Sequence, residues 1–597
     1  MVKYIYGGIS MNWDLTYHFK TQEDFEKAFN EAQAFIATLG SYKGKLHEIE
    51  SFKEYYLAQK KLEEELFKVY QYASLKSDLN KKDVANATAI AKCRMALYTL
   101  NELTSFEAPE ILAIGKEKVM SMLDQIPELE EFRFSFEKLF RNAEHILDEK
   151  SEKLLTLYGP LQSSGSELYS ALAVGDGKPV EIELSSGEKV LVTQGNYRSL
   201  IADSKDPSDR KKIFEAVFTT FENHKTTFAS IYNNVLQSDK ASAKARNYSN
   251  SLEAHLYGNN IPVEVYHNLV DVAGNNNEAV KKYISLRKEY LGLDEYHTYD
   301  RFIELASSNK KYTYEEAKEL FFNSLKEFPE DFQAKAKEVL RDGFVDVYEK
   351  DGKRTGAYSS SMPNLHPFIL LNYDSTLDSV FTVAHEAGHS MHSMYAAEGQ
   401  PTMLQNYTIF VAEIASTFNE HVLLDYFLKL PEVTNDEKIM VIQKAIDNIL
   451  GTFYRQTLFA EYELKAHEIV ESGQPISHEV LSNIMIDLYK KYYGLDITKE
   501  EVKQYVWAYI PHLFYTPFYV YQYATSFSAS FKLYKDVSTK DPEAMTRYIN
   551  LLKSGGSKYP IEQAKEAGVD FLKKDAFMAV VERMNELVEK LEELLKK

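Results

Sequence analysis

The chain has 597 residues, a length that favours two or more domains. Hydrophobic residues make up 44% and charged residues 26%, a balance typical of a globular protein. Its net charge of −20 makes a nucleic-acid partner unfavourable, and no apolar run reaches the roughly 18 residues that a membrane span needs. The first residues lack the apolar core of a signal peptide and Cys93 is the single cysteine, so we expect a cytoplasmic protein without membrane partners. We expect it to be a monomer or a homodimer.

Amphipathic helices are predicted along most of the chain. Apolar residues recur at the 3.6-residue spacing of a helix, and the faces between them are rich in Lys and Glu. Residues 51–72 and 571–596 are long examples of such stretches. Their charged faces are typical of solvated helix surface, so they predict structure and no particular function.

One break in the helical pattern marks a predicted domain boundary. Over residues 176–197, apolar and polar residues alternate around Ser186-Gly187, which predicts a β-hairpin. We therefore predict a mainly α fold with two lobes. Residues 1–197 form an N-terminal helical lobe that ends in the hairpin, and residues 198–597 form the second domain.

A second break predicts a small β-sheet. Residues 343–373 contain the tight-turn dipeptide Asp351-Gly352 and then the apolar run PFILLNY. About three strands are expected there, directly before the segment 375–400. The sheet is either simple core or a platform whose edge strand receives an extended peptide, and both interpretations stay open.

The segment FTVAHEAGHSMH carries the strongest chemical pattern in the chain. His385 and His389 are four residues apart, so on a helix they project from one face and can share a cation. Glu386 lies beside that face, close to where a metal-bound water would be. Ser375 or Thr376 can cap the helix. The pattern predicts a Zn²⁺ site, because two imidazoles and a carboxylate leave one position open for water.

The third metal ligand is less directly specified. A third histidine six residues after His389 is absent, and so is a glutamate about 20 residues after it. Glu413, on what is predicted to be the following helix, is the next acidic candidate. Glu398 is the competitor, but it lies at the end of the same helix as the histidines and cannot easily fold back.

Further residues are predicted to support the ligands. Glu413, Ser416 and Glu420 share a helix face, so Glu420 is expected to accept a hydrogen bond from a ligating histidine. Asp378, two turns before the first histidine, is the alternative for that role. His392 is predicted to be an outer-shell or structural residue, since a fourth ligand would close the site.

These motifs resemble a known family. The chain is similar to the thimet-oligopeptidase-like zinc metallopeptidases, and most closely to their oligoendopeptidase F branch. Four stretches carry the resemblance, in the order that the family has them: GAYSS (356–360), HEAGHSMHSMYAAEGQP (385–401), FVAEIASTFNE (410–420) and IPHLFYTPFYVYQYATS (510–526).

The resemblance implies a fold, a cofactor and a reaction. It implies a mostly helical, two-lobed body around a deep channel that admits short unfolded peptides, with residues 198–597 as the catalytic domain. It also implies one Zn²⁺ per chain, held by His385, His389 and Glu413, with Glu386 as the general base. The function it predicts is zinc-dependent cleavage of internal bonds in oligopeptides.

The resemblance also implies that a histidine and tyrosines from the C-terminal part face the metal. His512 matches that histidine. Tyr519 is the preferred catalytic tyrosine, with Tyr523 one helical turn later and Tyr521 as fallback, and both of these are predicted to contact substrate. At least two of the tyrosines in this stretch, which also holds Tyr515, are expected to be only packing.

One strand is predicted to align the substrate, and two alternative functions compete with the predicted one. The strand ending in Gly356-Ala357-Tyr358 is expected to align the peptide backbone. An exopeptidase with the same chemistry would need a charged group that reads a free terminus. A peptide-binding or scaffold protein with a vestigial metal site is disfavoured, because the base and the ligands are intact.

Overall fold

The computed structural model of the protein describes residues 5–6, 9–10, 12–539 and 541–596. This part of the chain is mainly α-helical with small sheets, as predicted. It forms two compact units, each assembled from three segments: unit 1 contains Met1–Glu144, Asn309–Leu430 and Leu533–Gly568, and unit 2 contains His145–Ser308, Pro431–Lys532 and Val569–Lys597. No helix in the described part is long and apolar enough to cross a membrane. The division at residue 197 stays a prediction.

The first segment of unit 1 is a helical bundle. It contains β1 (Ile5–Tyr6), β2 (Ile9–Ser10), α1 (Gln22–Leu39), α2 (Ile49–Leu79), α3 (Val84–Leu103), α4 (Glu107–Ile114), α5 (Lys116–Gln125) and α6 (Arg133–Asn142). Helix α2 confirms the helix predicted over 51–72. Its Phe52 and Tyr56 are fully buried against Phe132 and Phe136, and such burial stabilises a fold by about 1.5–3 kcal/mol per side chain.

The first segment of unit 2 holds the predicted hairpin. Its elements are α7 (Glu149–Gln162), α8 (Ser164–Ser170), β3 (Val180–Glu183), β4 (Lys189–Val192), α9 (Tyr197–Asp203), α10 (Pro207–Asn223), α11 (Lys225–Ala245), α12 (Ser251–Tyr257), α13 (Val263–Asn275) and α14 (Glu278–Tyr290). Strands β3 and β4 pair antiparallel, with Val180 opposite Val192. Gly187 closes the turn at φ +83°, a conformation that favours glycine. The hairpin prediction is confirmed.

The middle segment of unit 1 carries the predicted sheet and the histidine motif. It contains α15 (Tyr314–Ser324), α16 (Glu330–Val339), β5 (Val345–Asp346), β6 (Tyr358–Ser360), β7 (Phe368–Leu370), α17 (Leu377–Gly399) and α18 (Ile409–Phe427). The strand order is β5-β7-β6, so β6 is an edge strand, antiparallel to β7. Trp13 anchors the central strand, since its indole N–H donates to the Ile369 carbonyl at 2.8 Å. The predicted three-stranded sheet is confirmed.

The remaining chain is helical. It contains α19 (Asn435–Ile449), α20 (Arg455–Glu471), α21 (His478–Tyr493), α22 (Val506–Tyr509), α23 (His512–Tyr515), α24 (Tyr521–Ser538), α25 (Pro542–Lys553), α26 (Pro560–Glu566) and α27 (Asp575–Leu595). Helix α27 confirms the amphipathic helix predicted over 571–596. Its apolar stripe, which includes Phe577, Val580 and Leu591, is fully buried.

Candidate metal centre

Helix α17 presents the histidine pair from a regular, capped helix. Thr376 is the N-cap, and its side chain accepts a hydrogen bond from the Ser379 backbone N–H at 3.2 Å. The helix continues unbroken through His385, Glu386 and His389. The two histidines therefore lie one turn apart on one face, with ring centres 4.9 Å apart.

Helices α17 and α18 approach so closely at Gly388 that a side chain cannot fit there. A Cβ at this position would lie 2.5 Å from the Ala415 carbonyl oxygen and 2.6 Å from Ser416 Cα. This close approach brings Glu413 of α18 beside the histidines of α17. Sequence reasoning did not assign a role to Gly388; the signal was a glycine inside a strong helical pattern.

Three possible ligand atoms converge between the helices. The Nε2 atoms of His385 and His389 are 3.2 Å apart, and Glu413 Oε2 lies 3.5 and 3.4 Å from them. A tetrahedral Zn²⁺ with bonds of about 2.0–2.1 Å separates its ligand atoms by about 3.3–3.4 Å. The donor set and its spacing therefore fit Zn²⁺. Among the described residues, no other group of three His, Cys, Asp or Glu side chains converges in this way.

Two neighbours on α18 orient these atoms. Glu420 Oε1 lies 2.5 Å from His385 Nδ1, so it can accept that N–H and leave Nε2 facing the other ligand atoms. The Ser416 hydroxyl donates to Glu413 Oε2 at 3.0 Å. Glu420 thus lies where the sequence predicted a supporting carboxylate, whereas the Ser416 contact was not predicted.

The charges at the site stabilise one another. Burial lowers the pKa of His385, but the adjacent Glu420 carboxylate and its neighbours raise that pKa overall, to about 9. Burial raises the pKa of Glu413, yet the two histidines hold it at about 2. The Glu413 carboxylate therefore stays ionised at neutral pH and available to a divalent cation.

Glu386 is the buried carboxyl of the site. It is 6% exposed, and its Oε2 atom contacts no donor among the described residues. Burial raises its pKa, which the two histidines oppose. A buried carboxyl with a raised pKa is suited to accept and release a proton near neutral pH.

His392 and Asp378 lie on α17, after and before the histidine pair respectively. The His392 ring is buried and stacks on Tyr407 with ring centres 3.6 Å apart. Burial lowers the pKa of His392 to about 3, so the ring is neutral. Asp378 is exposed in the first turn of α17. Since Glu420 lies at His385 Nδ1, a supporting role for Asp378 stays an untested alternative.

A cavity of about 450 Å³ opens over the convergent atoms. His385, Glu386, His389 and Glu413 form part of its wall. Its other described lining residues are Ala357, Tyr358, Ser359, Ser361, Met362, Pro363, Ser393, Gln405, Asn406, Tyr407 and Ala412. The cavity therefore lies between the histidine helix and the edge strand β6.

Strand β6 is fixed to the histidine helix and to the bundle. The Ser359 and Ser390 hydroxyls lie 2.8 Å apart, joining β6 to α17 one residue after His389. The Tyr358 hydroxyl donates to Asp78 at 2.7 Å. Tyr358 thus lines the cavity, and its hydroxyl is held by the bundle.

His512 and two tyrosines form a separate group in unit 2. His512 begins α23 directly after Pro511. Its ring centre lies 6.1 Å from those of Tyr519 and Tyr523, and these two rings are 5.6 Å apart. Burial lowers the pKa of His512, so its ring is neutral at pH 7.

The other two tyrosines of this stretch have different surroundings. Tyr521 is 2% exposed and packs on Tyr266 with ring centres 5.1 Å apart. Tyr515 is exposed, and its hydroxyl lies 2.8 Å from that of Ser170. These positions are typical of packing and surface roles respectively.

Comparisons with known proteins assign the chain to a family. The sequence profile described as Peptidase family M3 matches residues 200–583, and the profile described as Oligopeptidase F matches residues 110–178. The chain is 36% identical to the oligopeptidase PepF of Bacillus subtilis over 590 residues, covering 98% of this chain and 87% of that protein.

Solved structures agree with this assignment. A crystal structure of a protein from Chlamydophila abortus superposes with a TM-score of 0.90 at 31% identity, covering 98% of both chains. The crystal structure of oligoendopeptidase-F from Enterococcus faecium has a TM-score of 0.73 at 29% identity, covering 96% of this chain and 99% of that one. The chain therefore belongs to peptidase family M3, in its oligoendopeptidase F branch, and is a metallopeptidase.

Proposed function

We propose that this protein is a Zn²⁺-dependent oligoendopeptidase that cuts internal bonds of short, unfolded peptides in a closed channel. The observation that carries the proposal is the convergence of His385, His389 and Glu413 to within 3.5 Å of one another beside Glu386. Zn²⁺ held by these three residues would supply a water of lowered pKa and polarise the scissile carbonyl. The channel is part of the proposal on the strength of the family resemblance.

Glu386 is proposed as the general base. Its buried Oε2 atom has no competing donor among the described residues, so it is free to accept the proton of the attacking water. Its raised pKa lets it hold that proton and then deliver it to the leaving amine.

Glu420 and Ser416 are proposed as positioning residues. Glu420 accepts the Nδ1 proton of His385, which fixes the tautomer whose Nε2 lone pair faces the cation. Ser416 donates to Glu413 and so restrains the rotation of that carboxylate. His392 is proposed to be structural, since its neutral ring is buried against Tyr407.

Strand β6 is proposed to align the substrate. It is an edge strand beside the cavity, so a peptide can pair with it through main-chain hydrogen bonds. Gly356 precedes it at φ +80°, and Ala357 and Tyr358 line the cavity. Strand addition recognises backbone and therefore suits an enzyme that accepts many sequences.

His512 is proposed to stabilise the oxyanion of the tetrahedral intermediate, together with Tyr519. The proximity of the two rings supports this pairing: their centres are 6.1 Å apart and their planes are nearly parallel. Each well-placed donor contributes about 3–4 kcal/mol to such a transition state. Tyr521 is the least suited to contact substrate, because its ring is buried.

The composition of the cavity favours an endopeptidase over an exopeptidase. An exopeptidase must bind a free terminus with a charged group near the reacting bond. The described lining of the cavity contains no lysine or arginine that could bind an α-carboxylate. Its two glutamates, Glu386 and Glu413, are both assigned to the reaction.

The cytoplasm is the proposed location. Cys93 is the single cysteine and is 2% exposed, so the fold depends on no intrachain disulfide and suits a reducing compartment. Cell fractionation with a specific antibody tests this, and recovery of the protein outside the cytoplasmic fraction would contradict it.

The proposed function is tested by digesting a mixed library of short peptides of different lengths. Products are identified by mass spectrometry for the native protein, the chelated protein and the chelated protein after Zn²⁺ is restored. We expect internal cuts that disappear with chelator and return with Zn²⁺. Trimming by single residues would support an exopeptidase, and absence of metal-dependent cuts would support a binding protein.

A further inference from the structure

Four basic side chains of unit 2 lie close enough together that Arg198, Arg301 and Arg455 all lower the pKa of Lys503, and we call these four residues the basic cluster. They come from four elements that are far apart in the sequence. Arg198 and Arg301 share the ring of Phe302, with their guanidinium carbons 5.9 and 4.6 Å from its centre. The fold therefore concentrates positive charge within a protein whose net charge is −20.

Lys503 forms the buried floor of the basic cluster. It is 9% exposed, and its ammonium nitrogen lies 5.2–5.6 Å from the ring centres of Phe214, Phe218 and Tyr489. Burial lowers its pKa, and Arg301 lowers it further. Burial and the neighbouring arginines therefore favour the neutral amine at Lys503, so the positive charge of the basic cluster is carried by its three arginines.

The basic cluster has no carboxylate partner of its own. None of its four members forms an ion pair with a carboxylate in the part of the chain that the structure describes. Glu500 and Asp447 attract it from nearby, but both are engaged elsewhere. Glu500 accepts the backbone N–H and hydroxyl of Thr298 at 2.7 and 2.6 Å, and Asp447 accepts the Tyr283 hydroxyl at 3.1 Å.

The basic cluster is open to solvent on one side. Arg198 is exposed, and Arg301 and Arg455 are half-buried. Arg198 donates to the half-buried Tyr509 hydroxyl at a long 3.4 Å, so this donor pair is weakly engaged. Like charges held together in partly buried surroundings repel one another, and an incoming oxyanion would relieve that repulsion while accepting several strong hydrogen bonds.

We propose that the basic cluster binds the C-terminal carboxylate of a peptide substrate. This inference rests on the proposed peptidase function, which supplies the ligand. An oxyanion is the chemistry that planar guanidinium groups recognise, and the aromatic rings suit the side chain next to it. The C-terminal carboxylate is the oxyanion that every unblocked peptide carries, whereas acidic side chains occur in only some sequences.

The test compares one peptide as its C-terminal acid and as its C-terminal amide. Cleavage kinetics and, by calorimetry, binding are measured for the wild type, for Arg301→Gln and for Arg301→Lys. Arg583→Gln on α27 removes one positive charge outside the basic cluster and serves as the matched control. Thermal unfolding confirms that each variant is folded.

We expect the wild type to bind the acid about 10- to 100-fold more tightly than the amide, the value of a charge-assisted pair. Arg301→Gln should bring that ratio close to one, Arg301→Lys should restore part of it, and Arg583→Gln should keep it. A ratio near one in the wild type, or an unchanged ratio in Arg301→Gln, would overturn the proposal.

Two further arms separate the sources of the oxyanion. If an amide peptide with an added glutamate matches the acid, the basic cluster reads side chains and the C-terminal assignment is wrong. If inorganic phosphate binds in an Arg301-dependent way while acid and amide are equal, the ligand is a free oxyanion. Absence of internal cuts in both peptides would instead contradict the peptidase function, and the calorimetric ratio would still decide the inference.

Discussion

Each compact unit holds a histidine that is followed by glutamate on a helix: the half-buried His385 of α17 in unit 1 and the buried His467 of α20 in unit 2. Around His385, Nδ1 faces Glu420 while Nε2 is directed toward a second histidine and a cavity. Around His467, Nδ1 lies 2.7 Å from the Glu463 carbonyl and Nε2 lies 3.0 Å from Asp239. Both ring nitrogens of His467 therefore contact acceptors within the fold.

The difference shows what a metal site requires beyond proximity of histidine and carboxylate. At His467 a single carboxylate serves two rings, because His255 also lies 3.3 Å from Asp239. Burial raises the pKa of Asp239, but the two histidines hold it at about 2. At His385 the carboxylate pairs with Nδ1 and leaves Nε2 for a cation. We call His467, His255, Asp239 and Glu463 the closed cluster, because both ring nitrogens of His467 contact acceptors within it. We call His385, His389 and Glu413 the open cluster, because these residues line the cavity.

The closed cluster has a structural task near the predicted oxyanion residues. The Phe518 ring packs on the His467 ring with centres 4.4 Å apart, and the Phe518 N–H donates to Glu463 at 2.7 Å. Phe518 has a φ of +55°, which is costly for a bulky residue and needs such support. The cluster therefore holds the bend that directly precedes Tyr519.

The largest expected effect follows from removing the third ligand of the open cluster. Glu413→Ala takes away one of three ligand atoms, so bound Zn²⁺ measured by elemental analysis should fall from about one per chain to background. Peptide hydrolysis should fall with it. Glu398→Ala and Asp239→Asn are the controls and should keep the metal, because Glu398 pairs with Lys335 at 2.7 Å and Asp239 belongs to the closed cluster. The opposite pattern would identify the wrong carboxylate.

Substitution of the glutamate that follows His385 should lower kcat strongly, whereas substitution of the glutamate that follows His467 should not. Glu386→Gln keeps size but cannot accept a proton, so kcat should fall by about 10³- to 10⁴-fold with Zn²⁺ still bound. Glu468→Gln changes an exposed residue and should leave kcat unchanged. A quenched fluorescent peptide and metal analysis measure both variants. Turnover of wild-type order in Glu386→Gln would rule out this residue as the base.

His512 and Tyr519 lie on either side of the bend at Phe518 that the closed cluster holds. If His512 and Tyr519 stabilise the oxyanion, they act only as charge develops on the carbonyl oxygen. His512→Ala and Tyr519→Phe should each lower kcat by about 10²- to 10³-fold with little change in KM and no loss of Zn²⁺. Tyr521→Phe, in the core, is the matched control and should keep wild-type kinetics. A raised KM at unchanged kcat would mean that these residues only hold substrate.

A smaller effect is expected when the ligand is kept and its partner is weakened. Glu420→Gln replaces the carboxylate at His385 Nδ1 by a neutral amide, so affinity for Zn²⁺ should fall by about 10- to 100-fold. Competition with a chelating dye measures it. Asp378→Asn is the control for the alternative partner. Loss of affinity in that variant, with none in Glu420→Gln, would reverse the assignment.

The open cluster could be predicted from sequence because its parts lie on two neighbouring helices. The spacing of His385 and His389, the helix cap and Glu413 are local patterns, and all lie in or beside the elements predicted for them. The contact of Gly388 with α18 depends on how two helices cross, which no local pattern records.

The closed cluster and the basic cluster could not be predicted from sequence, because their residues lie far apart along the chain. Asp239 lies 228 positions before His467, and Arg198 lies 311 positions before Tyr509. Neither pair has a period or spacing that marks it, since only the packing of many helices brings the residues together. The same reason left the choice among the tyrosines open until burial separated Tyr521 from the others.

The smallest expected effect is a pH-dependent change in thermal stability, and it concerns Glu463 of the closed cluster. Burial raises the pKa of Glu463 from its ordinary value of 4.5 to about 8, with Asp239 raising it further and the Phe518 N–H opposing the shift. Between these two pH values the folded protein retains a proton that the unfolded chain has lost. The stability that this carboxyl contributes is therefore complete below about pH 4.5 and is lost as pH rises toward 8.

Glu463→Gln stays neutral at every pH and so lacks this loss. The difference in Tm between variant and wild type should rise from pH 5 to pH 8, reach a few degrees, and level off above that. Glu468→Gln, five residues later and exposed, should show no such trend. A pH-independent difference in Glu463→Gln would mean that the carboxyl stays ionised in the fold. Zn²⁺ content should match the wild type throughout, because no residue of the closed cluster is a proposed Zn²⁺ ligand.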